Sequence, residues 1–409
     1  MPVTRWTHCV LIIIILQLCG NTGGETLKAQ DAGYPPKSGP KLVCYFTPTQ
    51  RFPADRVPSE ACSHLIYAFG SLSTSASEPN ITAPSQGQRS AWTILTALRR
   101  ENPSLKVLLS LQQGFPDVVG ADLLKMQKFA VNAVNYLRKY GFDGVDMDWE
   151  FPSPSERDAY SKFLAIMRTT IDKEANATGK AALLLSLALP NSHAIAERSY
   201  DIPAIASSVD FATAMTYDFH VYSKGDNVTG YNSPLFTPGG DYPFYSASAM
   251  VLYYIKRGMP AHMLMMGIPT YGRSWTLARP DYHFLGAPAL GKGPPSPVTH
   301  LKGVYTYPDA CAALKKGAVS VPSTSLGAVY LYQGTTWVAY DDSNTVTAKC
   351  KWVMKEQVGG VGVWAMHLDD LNNECGQGSL PLIQIMNKIV LGGRPREGRP
   401  PLRGHSTDL

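Results

Sequence analysis

Eight short apolar runs recur along the chain, and most are separated by stretches long enough to form a helix. Each run is bounded by Gly, Pro or polar residues, which is typical of buried β-strands. Eight alternations of strand and helix predict an α/β fold, a parallel (β/α)8 or TIM barrel. The predicted strands are residues 42–46, 64–69, 106–111, 142–150, 183–189, 211–217, 264–269 and 361–366.

The gap between the seventh and eighth runs is much longer than the others and contains Tyr- and Val-rich runs of its own. We therefore predict a small α+β insertion at residues 274–337, between strands 7 and 8 of a barrel formed by residues 41–273 and 338–392. Residues 25–40 are expected to be a flexible segment before the first strand. Residues 393–409, rich in Arg, Pro and Gly, are expected to be a disordered basic tail.

The N-terminus has the features of a secretory signal peptide, at residues 1–24. Arg5 precedes an apolar run at residues 10–16, which is too short for an ordinary membrane span, and small residues follow it. The sequence therefore predicts a secreted, extracellular protein without membrane association once the leader is removed. An uncleaved membrane anchor is the alternative.

The charge distribution argues against nucleic-acid partners. The net charge is +5, but about +2 remains on the predicted barrel and insertion once leader and tail are set aside, with no dense Lys/Arg stripe. We expect a monomer. Sequons at Asn80, Asn176 and Asn227 are candidate glycosylation sites. Five cysteines follow the leader, and two disulfides with one spare thiol is the simplest arrangement in an oxidising compartment.

The most informative local feature is the strand at residues 142–150, Phe-Asp-Gly-Val-Asp-Met-Asp-Trp-Glu. Side chains on a strand alternate between its faces, so Asp146, Asp148 and Glu150 share one face and the apolar residues between them share the other. The apolar face is expected to pack on the helices, so the three acids point into the barrel. Asp143 is out of phase, near the start of the strand.

Three carboxylates close together in a barrel interior repel one another and lose solvation, which predicts raised and coupled pKa values. A glutamic acid with a raised pKa at the carboxyl end of a barrel strand is suited to protonate a leaving-group oxygen. Because its neighbours lie on the same strand, one Asp would orient a nucleophile that belongs to the substrate. The alternatives are a polar edge strand facing water and a metal-binding cluster, although no Cys-x-x-Cys or His-x-x-x-His spacing suggests a metal site.

The spacing Asp143-x-x-Asp146-x-Asp148-x-Glu150 resembles the DxxDxDxE signature of family-18 chitinases. The resemblance runs from about residue 41 to about residue 390 and includes five further segments in the order found in animal members of the family. These are residues 44–47, 64–69, 215–220, 267–274 and 363–366 with 369–370.

This resemblance implies retaining, substrate-assisted hydrolysis of β-1,4-linked N-acetylglucosamine, which departs from the usual two-carboxylate scheme of glycosidases. It assigns Glu150 as the acid and then the base. Asp148 would hold the acetamido N–H while the carbonyl oxygen of that group attacks the anomeric carbon, and Asp146 would share the proton of Asp148. Tyr217 would donate to the acetamido carbonyl, and Trp364 would form the floor under the sugar.

The resemblance also implies further site residues and a disulfide pattern. Without it, an ordinary place in the core would be the favoured interpretation of Trp364 and Phe69. The substrate-binding or supporting positions are Tyr45, Phe69, Asp143, Met215, Asp218, Tyr271 and Arg273. The implied disulfides are Cys44–Cys62 and Cys311–Cys375, which leaves Cys350 as a buried small hydrophobe. No cofactor is implied, and the expected partners are chitin or chito-oligosaccharides.

Several positions depart from the family pattern while sparing the acids. Gln112, Gln113 and Phe115 stand where Ser-x-Gly-Gly-Trp is usual, Ser223 replaces a Trp-containing turn, and the loop at residues 46–62 is short and has no Trp. Phe151 and His367 replace Tyr and Asp. These changes predict weaker binding of long polymeric chitin and a cleft narrowed by the Gln pair. The alternative function is a glycan-binding lectin that has lost activity.

Overall fold

A computed structural model of the protein describes residues 39–73, 79–120, 122–237 and 244–393. In these ranges the eight predicted runs all overlap strands of one closed parallel barrel, which confirms the predicted fold class. The predicted signal peptide, nearly all of the segment at residues 25–40 and the tail after residue 393 lie outside the described residues. None of the helices in the described ranges is both long and apolar enough to cross a membrane.

The strands fall into a barrel and a second, antiparallel sheet. The barrel order is β1-β14-β7-β6-β5-β4-β3-β2, and the second sheet contains β8 to β13. The strands are β1 (Lys41–Phe46), β2 (His64–Ser71), β3 (Lys106–Gln113), β4 (Gly144–Met147), β5 (Leu184–Leu189), β6 (Phe211–Ala214), β7 (Leu264–Pro269), β8 (Tyr271–Leu277), β9 (Ala289–Lys292), β10 (Val304–Thr306), β11 (Val319–Ser323), β12 (Ala328–Gln333), β13 (Thr336–Tyr340) and β14 (Gly360–Trp364).

Helices alternate with the strands and cover the outside of the barrel. Helix α3 is capped at its start by Asp122, whose side chain accepts a hydrogen bond from Lys125 N, and it ends at Gly141 with φ +74°. The helices are α1 (Gln86–Ala97), α2 (Phe115–Val119), α3 (Leu123–Tyr140), α4 (Arg157–Thr178), α5 (His193–Ser199), α6 (Ile202–Ala206), α7 (Ala247–Lys256), α8 (Tyr307–Lys315), α9 (Ser343–Lys355) and α10 (Pro381–Val390).

The second sheet is the predicted insertion, but its limits differ from the prediction of residues 274–337. It begins at Tyr271 and ends at Tyr340. Only Thr270 separates the last residue of β7 from the first residue of β8, so no polar loop marks the junction in the sequence. The start of this sheet is therefore covalently continuous with a barrel strand.

Alternation along β1 shows how the barrel separates its two cores. Leu42, Cys44 and Phe46 pack outward against the helices, whereas Val43 and Tyr45 belong to a second buried cluster inside the barrel. The outward direction of Cys44 brings it to Cys62 in a disulfide. Cys311 on α8 forms the other predicted disulfide, with Cys375, and Cys350 is a buried free thiol, so the predicted cysteine pattern is confirmed.

Candidate active site

The acidic residues of the motif form a row at the carboxyl end of β4. The strand ends at Met147, yet alternation continues beyond it, because Trp149 packs into the outer core while Asp148 and Glu150 line a cleft. Asp146 is completely buried and accepts hydrogen bonds from Ser110 Oγ of β3 (2.8 Å) and Ser186 Oγ of β5 (2.6 Å). The predicted inward face is confirmed.

The three acids all have raised pKa values; loss of solvation is the largest cause in each, and the neighbouring groups differ. Burial raises the pKa of Asp146, and the hydrogen bonds from Ser186 and Ser110 oppose this. Burial, then the charges of Asp146 and Glu150, raise the pKa of Asp148 well above its ordinary range. Asp148 Oδ1 is buried without a hydrogen-bond partner. The unpaired oxygen at the edge of the cleft can accept a hydrogen bond from a ligand.

Glu150 lies at the opening of this row, exposed to the cleft. The surrounding protein atoms raise its pKa, a side-chain hydrogen bond from Gln112 opposes the rise, and the charge of Asp218 adds to it. A carboxyl group that holds its proton at higher pH than free glutamic acid, at the mouth of a cleft, is suited to general acid catalysis. The predicted perturbation of Glu150 is therefore confirmed in direction.

The cleft is open to solvent and has a cavity volume of about 150 Å³. It brings together most of the side chains that the sequence indicated. The lining residues are Tyr45, Asp148, Glu150, Phe151, Ala188, Asn191, Thr213, Met215, Tyr217, Asp218 and Trp364.

Aromatic rings form one side of the cleft. Trp364, at the end of β14, stacks on Phe69 with ring centroids 5.5 Å apart and an angle of 26° between the planes. The centroid of the Tyr45 ring lies 5.7 Å from that of the Trp364 ring. Phe69 is half-buried against the Trp364 ring, and its substrate-binding role stays a prediction.

Asp218 is the centre of a second charged group. Arg273 donates to both of its carboxylate oxygens, with Nε 2.6 Å from Oδ1, and Tyr271 Oη donates to Oδ1 at 2.7 Å. Tyr271 and Arg273 lie on the first strand of the insertion sheet, so both sheets build this wall. Tyr217 is buried, and burial followed by the charge of Asp148 raises its pKa well above the ordinary value, so its hydroxyl remains a donor.

Two asparagines that the sequence did not indicate hold the segment carrying Tyr217 and Asp218. Asn191 Nδ2 donates to the carbonyl oxygens of Tyr217 (2.8 Å) and Asp218 (3.1 Å). Asn232 Oδ1 accepts from Asp218 N (3.0 Å), and its Nδ2 donates to the carbonyl oxygen of Tyr271 (3.2 Å). A polar residue after a strand was visible at Asn191, but no periodicity distinguishes Asn232 from a surface residue.

A buried lysine supports the same segment through Ser233. Ser233 Oγ donates to the carbonyl oxygen of Thr216 (2.6 Å), and Lys349 Nζ donates to Ser233 Oγ (2.9 Å). The Lys349 ammonium also forms a salt bridge with Asp341 (2.6 Å). The positions of Tyr217 and Asp218 thus depend on residues more than a hundred positions apart in the sequence.

Asp143 is not part of the cleft, which corrects its predicted substrate-binding role. Its carboxylate accepts from Arg99 Nη1 (2.7 Å) and from the backbone N of Val107 (2.8 Å) at the start of β3. That is the amino end of the barrel strands, whereas Glu150 lies beyond their carboxyl ends. Asp143 therefore links neighbouring barrel elements.

The unusual positions of the sequence fall in and beside the cleft. Phe151 lines it, whereas Phe115 is fully buried and stacks on Trp149 with centroids 5.2 Å apart, so Phe115 offers no face to a sugar. His367 Nδ1 accepts from Thr47 N (3.3 Å), and burial lowers the pKa of His367 to about 4. His367 is therefore a neutral acceptor at neutral pH.

The remaining candidate positions lie at the surface. Ser223 is exposed and accepts from Asp226 N (3.0 Å) in a turn. Asn176 and Asn227 are exposed, and Asn80 is half-buried, so the three sequons stay candidates for glycosylation. In the part of the chain that the structure describes, no group of three or more His, Cys, Asp or Glu side chains is arranged to hold a metal ion.

Comparison with known proteins agrees with this geometry. The family described as "Glycosyl hydrolases family 18" matches residues 41–369. Mouse (Mus musculus) chitotriosidase-1 is 34% identical over 374 residues, which cover 86% of this chain and 78% of that protein. Human (Homo sapiens) chitinase-3-like protein 2 is 30% identical over 367 residues, which cover 86% of this chain and 92% of that protein.

Solved structures with the same fold include a chitinase and a protein described as a pseudo-chitinase. Human YKL-39, described as a pseudo-chitinase with retained chitooligosaccharide binding properties, superposes with a TM-score of 0.81 at 30% identity, over 87% of this chain and 100% of its own. The Group IV chitinase of Ostrinia furnacalis in complex with allosamidin superposes with a TM-score of 0.78 at 27% identity, over 86% of this chain and 99% of its own.

Proposed function

Because the chain belongs to glycosyl hydrolases family 18, we propose that it is a chitinase that hydrolyses β-1,4 linkages between N-acetylglucosamine units. The observation that carries this proposal is the joint arrangement of Glu150, Asp148 and Tyr217 around one cleft, above the floor formed by Trp364. Asp148 contributes a buried oxygen without a partner, and Glu150 contributes a proton held by a raised pKa.

The proposed reaction proceeds in two steps with retention at the anomeric carbon. In the first step Glu150 gives its proton to the glycosidic oxygen as the bond from that oxygen to the anomeric carbon breaks. The carbonyl oxygen of the substrate's own 2-acetamido group forms the new bond to this carbon. In the second step Glu150 takes a proton from water, which attacks the same carbon and restores the acetamido group.

The other site residues orient and stabilise the acetamido group. The free Oδ1 of Asp148 would accept the acetamido N–H, which becomes more acidic as the ring closes. Tyr217 would donate to the acetamido carbonyl oxygen. Asp146 lies behind Asp148 with both oxygens bonded to serine hydroxyls. A proton shared by the two carboxyl groups would move from Asp148 to Asp146 as positive charge develops on the substrate, which leaves Asp148 negatively charged beside it.

We further propose that the protein acts outside the cell as a monomer. The two disulfides support an oxidising compartment, because such bonds rarely persist in the cytosol. The expected ligands are chito-oligosaccharides more than polymeric chitin, since Phe115 is buried where an exposed ring would extend the aromatic floor.

A glycan-binding lectin without turnover is the second candidate. It is favoured by the likeness to YKL-39, a pseudo-chitinase that binds chitooligosaccharides, and by the Gln112 amide beside Glu150. Retention of Asp146, Asp148 and Glu150 in one row favours hydrolysis, because ligand binding alone does not require three coupled acids.

The deciding experiment is hydrolysis of chitotriose and of colloidal chitin by the purified protein, with NMR detection of the anomer first released. We expect turnover with retention on the oligosaccharide, weaker action on the polymer, and at least about a hundredfold loss in Glu150→Gln. Glu197→Gln, an exposed partner of Arg257, is the matched control and should retain activity.

Two results would reject the assignment. Binding of chitotriose without turnover at any pH would establish the lectin. Full activity of Glu150→Gln would show that another group supplies the proton.

A further inference from the structure

Strand β3 presents side-chain donors to the first and the last of the three acids, Asp146 on β4 and Glu150 just beyond its end. Ser110 pairs with Asp146 in the strand register and hydrogen-bonds to its side chain. Gln112, two residues further, lies on the same face of β3 because side chains alternate. Its Nε2 is 3.5 Å from Glu150 Oε1. This is the long end of hydrogen-bond distance, and contacts of catalytic groups often shorten when substrate binds.

The backbone around Gln112 is fixed on both sides. The carbonyl oxygen of Leu111 accepts from Asp148 N (2.8 Å), and that of Gln113 accepts from Leu72 N (2.8 Å). The chain then turns at Gly114, with φ +89°, where a Cβ would lie 2.5 Å from the carbonyl oxygen of Leu72. Gln112 is therefore held between a residue bonded to the acidic row and a turn that only glycine fits.

A second contact locks the two segments together beyond the turn. The Phe115 ring, completely buried, lies parallel to the Trp149 ring, with 4° between their planes. Trp149 is the residue immediately before Glu150. The backbone that carries Gln112 and the backbone that carries Glu150 thus keep a fixed distance, and only the two side chains have freedom to adjust.

We propose that Gln112 is a positioning residue for Glu150. The amide N–H of Gln112 donates to Oε1 of Glu150, so that the proton for the leaving group resides on Oε2 of Glu150. An N–H group can only donate, so the carboxyl oxygen that it contacts is the acceptor and the acidic proton occupies the other oxygen. This inference rests on the proposed function of Glu150 and adds which of its two oxygens reacts.

The same contact has a consequence for pH. Donation to a carboxyl oxygen favours the charged form, and the Gln112 hydrogen bond opposes the effect of burial on the pKa of Glu150. Other elements also face Glu150, and substitution of Gln112 leaves them in place. These groups are Asp148 on its own segment, Tyr217 and Asp218 after β6, Arg273 bonded to Asp218, and Tyr200 at the end of α5.

The direction of the change follows from these charges. Removing the donor leaves burial and the negative charge of Asp218 unopposed, so Glu150 keeps its proton to higher pH. The first step requires the protonated acid, so the basic limb of the activity profile moves to higher pH as well.

The test compares Gln112→Met, which keeps the length of the side chain without a donor, and Gln112→Ala with a matched control, Gln113→Ala. Gln113 is the exposed neighbour on β3 and, contrary to the prediction that the Gln pair narrows the cleft, does not line it; because side chains alternate along a strand, it points to the face opposite Gln112. The first measurement is a 13C NMR titration of glutamate side-chain carboxyls, with the Glu150 signal identified by its loss in Glu150→Gln. The second is kcat/KM for chitotriose hydrolysis between pH 4 and pH 8.

We expect both Gln112 variants to shift the Glu150 midpoint to higher pH and to raise the rate ratio between pH 7 and pH 5 about threefold. Gln113→Ala should match the wild type in both. An unchanged or lower midpoint in Gln112→Met and Gln112→Ala overturns the inference. Because the NMR titration needs no turnover, absence of hydrolysis rejects the proposed function while the titration still decides the role of Gln112.

Discussion

Lys349 is completely buried on α9, and its ammonium bonds Asp341 at 2.6 Å and Ser233 at 2.9 Å. Asp341 is also buried, and its Oδ2 has no partner. Replacing Lys349 with Met keeps most of the side-chain volume but leaves the Asp341 carboxylate uncompensated. Breaking a buried pair on one side costs about 3–5 kcal/mol, a large part of the roughly 5–15 kcal/mol that stabilises a typical domain.

The double variant Lys349→Met/Asp341→Asn separates the charge from the packing. Removing both charges leaves no isolated ion, so we expect it to be at least about 2 kcal/mol more stable than Lys349→Met alone. If the two variants lose equal stability, packing of the lysine stem and not the ion pair explains the cost.

The loss of unfolding free energy in Lys349→Met relative to the wild type, its stability deficit, should depend on pH in a definite direction. Burial raises the pKa of Asp341 and Lys349 opposes the rise, so loss of the lysine raises that pKa further. A carboxyl with a raised pKa in the folded state binds protons more tightly there than in the unfolded chain. Stability then increases as the pH falls through the folded-state pKa toward the lower pKa of the unfolded chain. The deficit should therefore be smaller at pH 5 than at pH 8.

The assay is urea-induced unfolding followed by tryptophan fluorescence at both pH values, with the disulfides intact. Arg279→Met is the control, because Arg279 and Asp281 form an ion pair whose side chains are 61% and 58% exposed, and we expect no change in its midpoint. A midpoint of Lys349→Met equal to that of the wild type, or a deficit that grows at pH 5, would refute the reasoning.

Three further outcomes are expected. Ser233→Ala should lower kcat about tenfold, because it releases the segment that carries Tyr217. Ser248→Ala is the control: it removes a hydroxyl that donates to a carbonyl oxygen at the same 2.6 Å, and it should leave kcat unchanged. Equal kcat values for the two variants would contradict this. Burial raises the pKa of the Cys350 thiol to about 12, so thiol reagents should label Cys350 only after the protein unfolds. Cys350→Ala is the control for labelling at other sites. Labelling of the native protein within minutes at pH 8 would contradict this. Replacing both Cys311 and Cys375 with Ser should lower the free energy of unfolding by roughly 2–5 kcal/mol in urea titrations, and an unchanged midpoint would show that the bond is dispensable.

The barrel and its acidic row could be predicted because both depend on local patterns. Strand spacing needs only the composition of short runs, and alternation alone placed Asp146, Asp148 and Glu150 on one face. The alternation persists past Met147, where β4 ends, because Trp149 still packs into the outer core. Burial of the apolar residues between the acids therefore fixes the direction of the acids themselves.

The sequence-based predictions were wrong or incomplete where contacts between distant residues decide the structure, or where two strands follow each other without a loop. Asp143 belongs to the motif, but it lies at the start of the strand, where its carboxylate binds Arg99 and does not reach the cleft. The insertion begins at Tyr271 because the chain passes from one sheet to the other within a single residue. Ser233 and Lys349 lie 116 positions apart, and no pattern within either segment indicates that they bond to each other.

The barrel can close, and the cleft can form, only after the last barrel strand has been synthesised. β1 pairs with β14, where Lys41 is opposite Gly360, and Trp364 is the last residue of that final strand. During synthesis the first strand therefore waits some 320 residues for its partner, which is roughly a quarter of a minute to a minute at about 5–20 residues per second. Until then its edge is open, so nascent chains that stall before Trp364 would hold the acids of β4 but neither the floor beneath the sugar nor a closed sheet.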